Sequence, residues 1–394
     1  MTIDLTRARA ETPGCAHVAH FNNAGSSLMP QPVLDATIGY LQLEAQIGGY
    51  EAVERSLAAT KRPYHAIAEL IGCAADEVAL IENATRAWDM AFYSIPFRPG
   101  DRILTSMAEY GSNYIAFLQM AQRTGAVVEA IPNDEHGQLS IAALEAMIDE
   151  RVRLIAVTHV PTNGGLVNPA AAIGRVAKAA GVLFLLDACQ SVGQLPINVA
   201  QIGCDMLSAT GRKYLRGPRG TGFLYVRRSL IEQLEPPFLD LHAATWDARN
   251  HYQIRPDARR FENWETNYAG KVGLGVAVDY ALGWGMAAIS ERVLLLASML
   301  RERLAAIPGV QVQDLGAERC GIVTFTHDRL AAAQIKQALA TQQINVSITT
   351  VFGTRLDMEQ RNLPPMVRAS VHYYNSEDEL DRLCHAVATL AISD

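Results

Sequence analysis

Short apolar runs alternate with amphipathic helical patterns through the middle of this 394-residue chain. Residues 78–81, 102–106, 127–132, 154–160, 182–188 and 205–209 read as strands. Residues 113–123, 141–150 and 169–180 read as helices, with Ser140 as the N-cap of the second. These strands lack the in–out alternation of a half-exposed sheet. The expected architecture is therefore α/β, a mostly parallel sheet with helices on both faces. Ligands of such sheets bind beyond the carboxyl ends of the strands, so the residues after each apolar run are where chemistry is expected.

Further along, the pattern changes. A glycine-bearing apolar helix (268–284) is followed by a long helix (289–306) that ends at Pro308-Gly309. A strand (321–326), a helix (331–342), a strand (345–348) and a final helix (376–391) complete a smaller α+β unit. The expected division is a large domain over 21–285 and a small C-terminal domain over 286–394, with residues 1–20 packing on the small one. A chain of this length exceeds one typical domain.

Composition narrows the class. Hydrophobic residues make up 49% and charged residues 19%, as in soluble globular enzymes. A net charge of −7 argues against a nucleic-acid partner, which needs a basic patch. The most apolar stretch, 182–188, is far shorter than the roughly 20 residues that span a bilayer. The amino-terminal residues lack the basic and apolar regions of a secretory signal. The six cysteines show no Cys-x-x-Cys spacing, which fits reduced thiols and a cytoplasmic location with no metal.

The chain has five lysines. Lys61, Lys178 and Lys336 sit in helical patterns and Lys271 begins the glycine-bearing helix. Lys213 alone follows a strand-like run, inside the tract Ser-Ala-Thr-Gly-Arg-Lys-Tyr-Leu-Arg-Gly (208–217). Asp187 ends the most apolar strand, where a carboxylate needs a partner to offset its desolvation. Read alone, Asp187 serves equally as a helix N-cap. With Lys213 at the next strand end, 26 residues on, the pair suits pyridoxal 5'-phosphate (PLP), whose pyridinium nitrogen pairs with a carboxylate. At 82–88 a strand hands over to a helix that Asn83 or Thr85 caps, and its free N–H groups suit a phosphate. The glycine tract 217–222 follows Lys213 instead of preceding it, which argues against a P-loop or dinucleotide fingerprint.

Taken together, these blocks resemble the class V aminotransferase and cysteine desulfurase group of fold-type I PLP enzymes. They run in that group's order from Phe-Asn-Asn-Ala-Gly (21–25) through Asn-Ala-Thr (83–85), Glu-Tyr-Gly-Ser-Asn (109–113) and Thr-His-Val-Pro-Thr-Asn-Gly-Gly (158–165). Asp-Ala-Cys-Gln-Ser-Val-Gly (187–193), Thr-Gly-Arg-Lys (210–213), Arg-Phe-Glu-Asn-Trp-Glu (260–265) and Val-Arg-Ala-Ser-Val-His-Tyr-Tyr-Asn (367–375) follow. The branch it looks closest to holds hercynylcysteine sulfoxide lyase and isopenicillin N epimerase-like proteins.

The resemblance implies a role for each matching position. Lys213 carries PLP as a Schiff base and Asp187 pairs with the ring nitrogen. Ala84 and Thr85, with Thr210 and Arg212, hold the phosphate. Tyr110 stacks on the ring, and Thr162 or Asn163, with Gln190, bonds the phenolic oxygen. Arg368 binds the substrate's α-carboxylate, with Ala24 and Gly25 beside it. Arg212 stands where the group often has His. Two departures stand out. Trp264-Glu265 replace a Gly-Thr pair that relatives lend to a neighbouring subunit's phosphate site, although a homodimer is still expected. Desulfurases also need a mobile cysteine to take sulfur as a persulfide, and residues 347–363 contain none. The expected reaction is therefore β-elimination by a C–S lyase without a persulfide cysteine. Class V aminotransferase, amino-acid epimerase and a non-catalytic binding protein are the alternatives. Trp246, His251, Trp264 and Arg355 are candidates for specificity.

Overall fold

A computed structural model describes residues 3–390. Its centre is a seven-stranded sheet built from β1 (Val78–Ile81), β2 (Arg102–Ser106), β3 (Val127–Ile131), β4 (Val152–Thr158), β5 (Leu183–Asp187), β6 (Met206–Thr210) and β7 (Gly222–Val226). The order is β1-β7-β6-β5-β4-β2-β3, and β7 alone runs antiparallel to its neighbours. Five of these strands, β1, β2, β6, β7 and all but the first residue of β5, are buried along their length, which is why they read as unbroken apolar runs.

Helices cover the sheet. Among them α1 (Gln31–Ile47) and α2 (Leu57–Ile71) precede it, and α3 (Ala84–Phe92), α4 (Gly111–Thr124) and α5 (Ala170–Ala180) cross over between its strands. Asn83 caps α3 by accepting from the Arg86 N–H. Gly181 ends α5 in the left-handed region at φ 66°, a conformation a side chain resists. The helix expected over 141–150 stops at Met147, because Ile148 turns into extended backbone. Ser140 caps it as the pattern predicts, accepting from the Ala143 N–H.

After β7 the chain makes an antiparallel hairpin, β8 (Ala244–Ala248) and β9 (His251–Ile254), which the sequence pattern does not reveal. Helix α6 (Tyr268–Trp284) then meets α7 (Met286–Ala305) at Gly285, with an 80° bend. Among the described residues no single helix is long and apolar enough to cross a membrane. A four-stranded antiparallel sheet follows, β10 (Val310–Val312), β11 (Ile322–His327), β12 (Ser347–Thr349) and β13 (Met366–Ser370), in the order β10-β11-β13-β12. Helix α8 (Glu377–Leu390) closes the described chain, and the last residue of the helix expected over 376–391 lies outside it.

The strand expected at 345–348 is two short pieces with different partners. Ile344–Asn345 pairs in parallel with Ala19–His20, and β12 pairs with β13. The amino-terminal segment is thus tied to the carboxyl-terminal part of the chain, and Arg9 reinforces the tie with a 2.9 Å ion pair to Glu379 on α8. The architecture is the fold-type I α/β arrangement, a mostly parallel sheet under helices beside a smaller α+β sheet.

Candidate active site

One cavity opens where the carboxyl ends of β5 and β6 face the amino ends of α3 and α4. Lys213, Asp187, Gln190, Ala84, Thr85, Tyr110, Thr162, Thr210 and Arg212 all line it, together with Asn83, Thr158, Val160 and Cys189. The positions arise locally. Asp187 is the last residue of β5, and Lys213 follows β6 by three residues. Gly193, at φ 94°, lies so close to the Tyr214 backbone that a Cβ would meet it at 2.4 Å. The absent side chain lets the turn after Asp187 pack directly on the chain beside Lys213.

The Asp187 carboxylate is held on both oxygens. Cys189 N–H donates to Oδ1 at 2.9 Å and Asn113 Nδ2 donates to Oδ2 at 2.9 Å. Burial pushes its carboxyl above the usual range, while these hydrogen bonds and the nearby Lys213 pull it back. Lys213 shifts the other way. Burial lowers its ammonium pKa, Cys189 raises it, and the cations Arg212 and Arg368 lower it further. A buried lysine among cations gives up its proton more readily than a free one. Cys189 sits beside it, its thiol pushed up by burial and drawn down by Lys213.

The second sheet supplies an arginine. Arg368 lies on β13, the inner strand between β11 and β12, opposite Thr324 and Ser347. Its Nη1 donates to Thr162 Oγ1 at 2.6 Å and to the Thr162 carbonyl at 3.2 Å, while its Nε is buried without a partner. Ala24 and Gly25 do not line the cavity but buttress it. The Ala24 carbonyl accepts from Gln190 Nε2 at 3.0 Å, the Gly25 carbonyl accepts from Arg212, and Ser370 accepts from the Ala24 N–H. Gln190 keeps its side-chain oxygen buried and unpartnered.

Thr162 and Asn163, left as alternatives by the sequence, are separated by the structure. Thr162 faces the cavity, whereas the Asn163 amide donates to Thr354 at 2.8 Å and to Met358 and accepts from Thr349. The four specificity candidates also lie elsewhere. Trp246 and Trp264 are exposed, His251 pairs with Asp247, and Arg355 pairs with Glu359, so none of them lines the cavity. Aromatic and charged residues in a loop sequence carry no signal that distinguishes a pocket from an outer face. Glu109 and Asn113, buried behind Asp187, are functional-site neighbours that sequence reasoning passed over. Their one signal was the polar tract 109–113 at a strand-to-helix junction.

Comparison with known proteins gives the same outline. The family model "Aminotransferase class-V" matches residues 19–383. A cysteine desulfurase of Serratia proteamaculans is 30% identical over 406 residues, covering 97% of each chain. The apo structure of a cysteine desulfurase from Thermococcus onnurineus NA1 superposes with a TM-score of 0.92 at 26% identity, covering 100% of this chain and 99% of that one. These findings overturn the expectation of a C–S lyase working without a persulfide cysteine, since the relatives matched end to end are named cysteine desulfurases. That expectation rested on the lack of cysteine at 347–363. Such a lack removes one position for a thiol and does not define the product.

Proposed function

The chain belongs to the class V aminotransferase family and is a PLP-dependent enzyme, and we propose that it cleaves the carbon–sulfur bond of L-cysteine as a desulfurase. The observation that carries this reading is the convergence of Lys213, Asp187 and the amino end of α3 on one cavity, with Arg368 bonded to its wall at Thr162. The names of the relatives supply the sulfur chemistry.

The residues present fit the cofactor. A cavity with a buried carboxylate at one end and the amino end of α3 plus Arg212 at the other complements a molecule that is cationic at its ring and anionic at its phosphate. Asp187 would hold the ring nitrogen. Ala84, Thr85, Thr210 and Arg212 would hold the phosphate, and Tyr110 and Cys189 flank the space between. Gln190 and Thr162 present polar atoms at the remaining edge. PLP, when bound, draws the electron pair freed at the substrate Cα into its protonated ring.

This chain's own residues do the rest. Arg368 orients the substrate carboxylate through its planar guanidinium, using the Nε that has no protein partner. Lys213 would take the substrate Cα proton as general base, and its lowered pKa favours the neutral amine that this needs. In a desulfurase the sulfur passes to a thiol, and alanine is left. Cys189 is the one cysteine in the cavity wall. We infer that it is this chain's candidate acceptor.

The test is product analysis. Holoenzyme given L-cysteine and a reducing thiol should release alanine and sulfide in equal amounts, and Cys189→Ser should lower the persulfide that alkylating reagents trap. Pyruvate in place of alanine, a keto acid formed only with a second keto acid, or a D-amino acid product would each overturn the reading.

A homodimer accompanies this proposal. The hairpin β8–β9 and its flanks expose Trp246, Tyr252, Leu241, Phe238 and Trp264, with Leu241 at 71% and Trp246 at 70%. Trp246 and Tyr252 are cross-strand partners in that hairpin, and exposed aromatic pairs of this kind suit an interaction surface. A second copy of the chain is the proposed occupant. Trp246→Glu should convert a dimer to a monomer in light scattering, and a monomeric parent protein would reject this.

A further inference from the structure

Behind the Asp187 carboxylate lies a second one. Glu109, Asn113 and Asp187 are 3%, 2% and 5% exposed, so all three are withdrawn from solvent. The single Asn113 –NH₂ group spends both hydrogens on carboxylates, donating to Glu109 Oε1 at 2.9 Å and to Asp187 Oδ2 at 2.9 Å.

The remaining contacts of Glu109 define its charge state. Oε1 also accepts from the Tyr110 N–H at 3.1 Å and from the Thr158 hydroxyl. Oε2 accepts from Thr105 Oγ1 at 3.0 Å, from the Thr158 N–H at 2.9 Å and from Ser106 Oγ at 3.4 Å. Backbone N–H groups and the Asn113 –NH₂ only donate, so each oxygen is held as an acceptor. All of these donors are neutral. A carboxylate surrounded by donors in this way is stabilised as the anion even where burial opposes it. Burial, with the charge of Asp187, holds the Glu109 carboxyl above the usual range, and the bonds from Thr158 and Asn113 pull it part of the way back.

Two buried carboxyl groups thus share one neutral amide. We propose that Glu109 is a positioning residue that acts through Asn113, orienting the Asp187 carboxylate and adding negative potential behind it so that the cofactor ring nitrogen keeps its proton. Glu109 touches neither substrate nor cofactor. Its contribution is electrostatic and directional: Asn113 fixes which lone pair of Asp187 remains free, and the second anion makes losing the ring proton more costly. The tract 109–113 thereby acquires a purpose, because Glu109 precedes α4 by two residues and Asn113, in the helix's first turn, folds back over it.

This inference rests on Asp187 being the ring-nitrogen partner, and one experiment separates the two. Holoenzyme loaded with PLP carrying ¹⁵N in its ring is followed by NMR as a function of pH. The parent protein should show a pyridinium signal throughout its stable range; a neutral pyridine signal there would reject the Asp187 reading itself. Glu109→Gln should lower the pH at which the ring deprotonates by about one unit or more, and Glu109→Asp should restore much of it. Should Glu109→Gln fail to fold, Asn113→Ala, which keeps both carboxylates, carries the same test with a shift in the same direction. A protonated parent ring with no shift in either variant would overturn this inference and leave the Asp187 reading standing.

Discussion

Arg368 Nη1 donates to Thr162 Oγ1 at 2.6 Å, and this bond joins the inner strand of the small sheet to the loop after β4 of the large one. Arg368, the proposed carboxylate anchor, is therefore braced by a residue of the cavity wall. Arg368→Ala should raise the KM for the amino-acid substrate more than it weakens PLP retention. Losing a charge-assisted contact costs roughly 1.5–3 kcal/mol, which is about 10- to 150-fold in KM. An effect confined to PLP retention would move Arg368 out of the substrate site. Thr162→Val should give a smaller rise, because it loosens the arginine without removing it.

Lys213→Ala should abolish the visible absorbance of lysine-bound cofactor and cut turnover by about 10²–10⁴-fold or more, the usual worth of a positioned general base. Borohydride reduction of the parent protein and peptide mapping should place the pyridoxyl group on Lys213. Finding it on Lys271 would displace the site assignment, since Lys271 is also recessed and its pKa is also lowered by burial.

Asp187→Asn should still bind PLP but slow solvent deuterium exchange at the substrate Cα by roughly 10²-fold, the scale for removing one preorganised electrostatic contact. Exchange at the parent rate would leave Asp187 with the N-cap role that its sequence context also allowed.

Acid should destabilise the fold through buried histidine. Burial lowers the pKa of His159 to about 4 from an ordinary 6.5, and its Nδ1 has no partner. Between these values the unfolded chain binds a proton that the folded chain refuses. Stability is then full above pH 6.5, falls as the pH drops, and levels off below about 4. Urea midpoints across that range should show the slope, and His159→Gln should reduce it. His20 and His372, also lowered by burial, keep a residual slope. A slope untouched by His159→Gln would mean that His159 is not held neutral.

Much of the fold was readable because its central strands are buried on both faces. Val78–Ile81, Arg102–Ser106 and Tyr268–Trp284 begin and end where the apolar pattern does. Of the candidate site, Asp187 and Lys213 were readable as polar residues at or just after apolar strands, and both line the same cavity. Elsewhere adjacency defeats sequence. Thr162 and Asn163 differ by one position, and only the path of the loop decides which faces the cavity. The bond from Asn113 to Asp187 spans 74 residues, and no local pattern encodes a contact that distant. The hairpin at 244–254 stayed hidden because its strands are mostly exposed and carry no apolar alternation.

The pairing of Ala19–His20 with Ile344–Asn345 joins segments 325 residues apart. On a ribosome adding about 5–20 residues per second, the first segment waits roughly 16–65 seconds for its partner. All seven strands of the large sheet lie between residues 78 and 226 and emerge well before that. Arg368 emerges later still, on a strand that pairs with residues 322–325 and 347–349. Every residue that lines the cavity, from Asn83 to Lys213, is therefore synthesised well before Arg368.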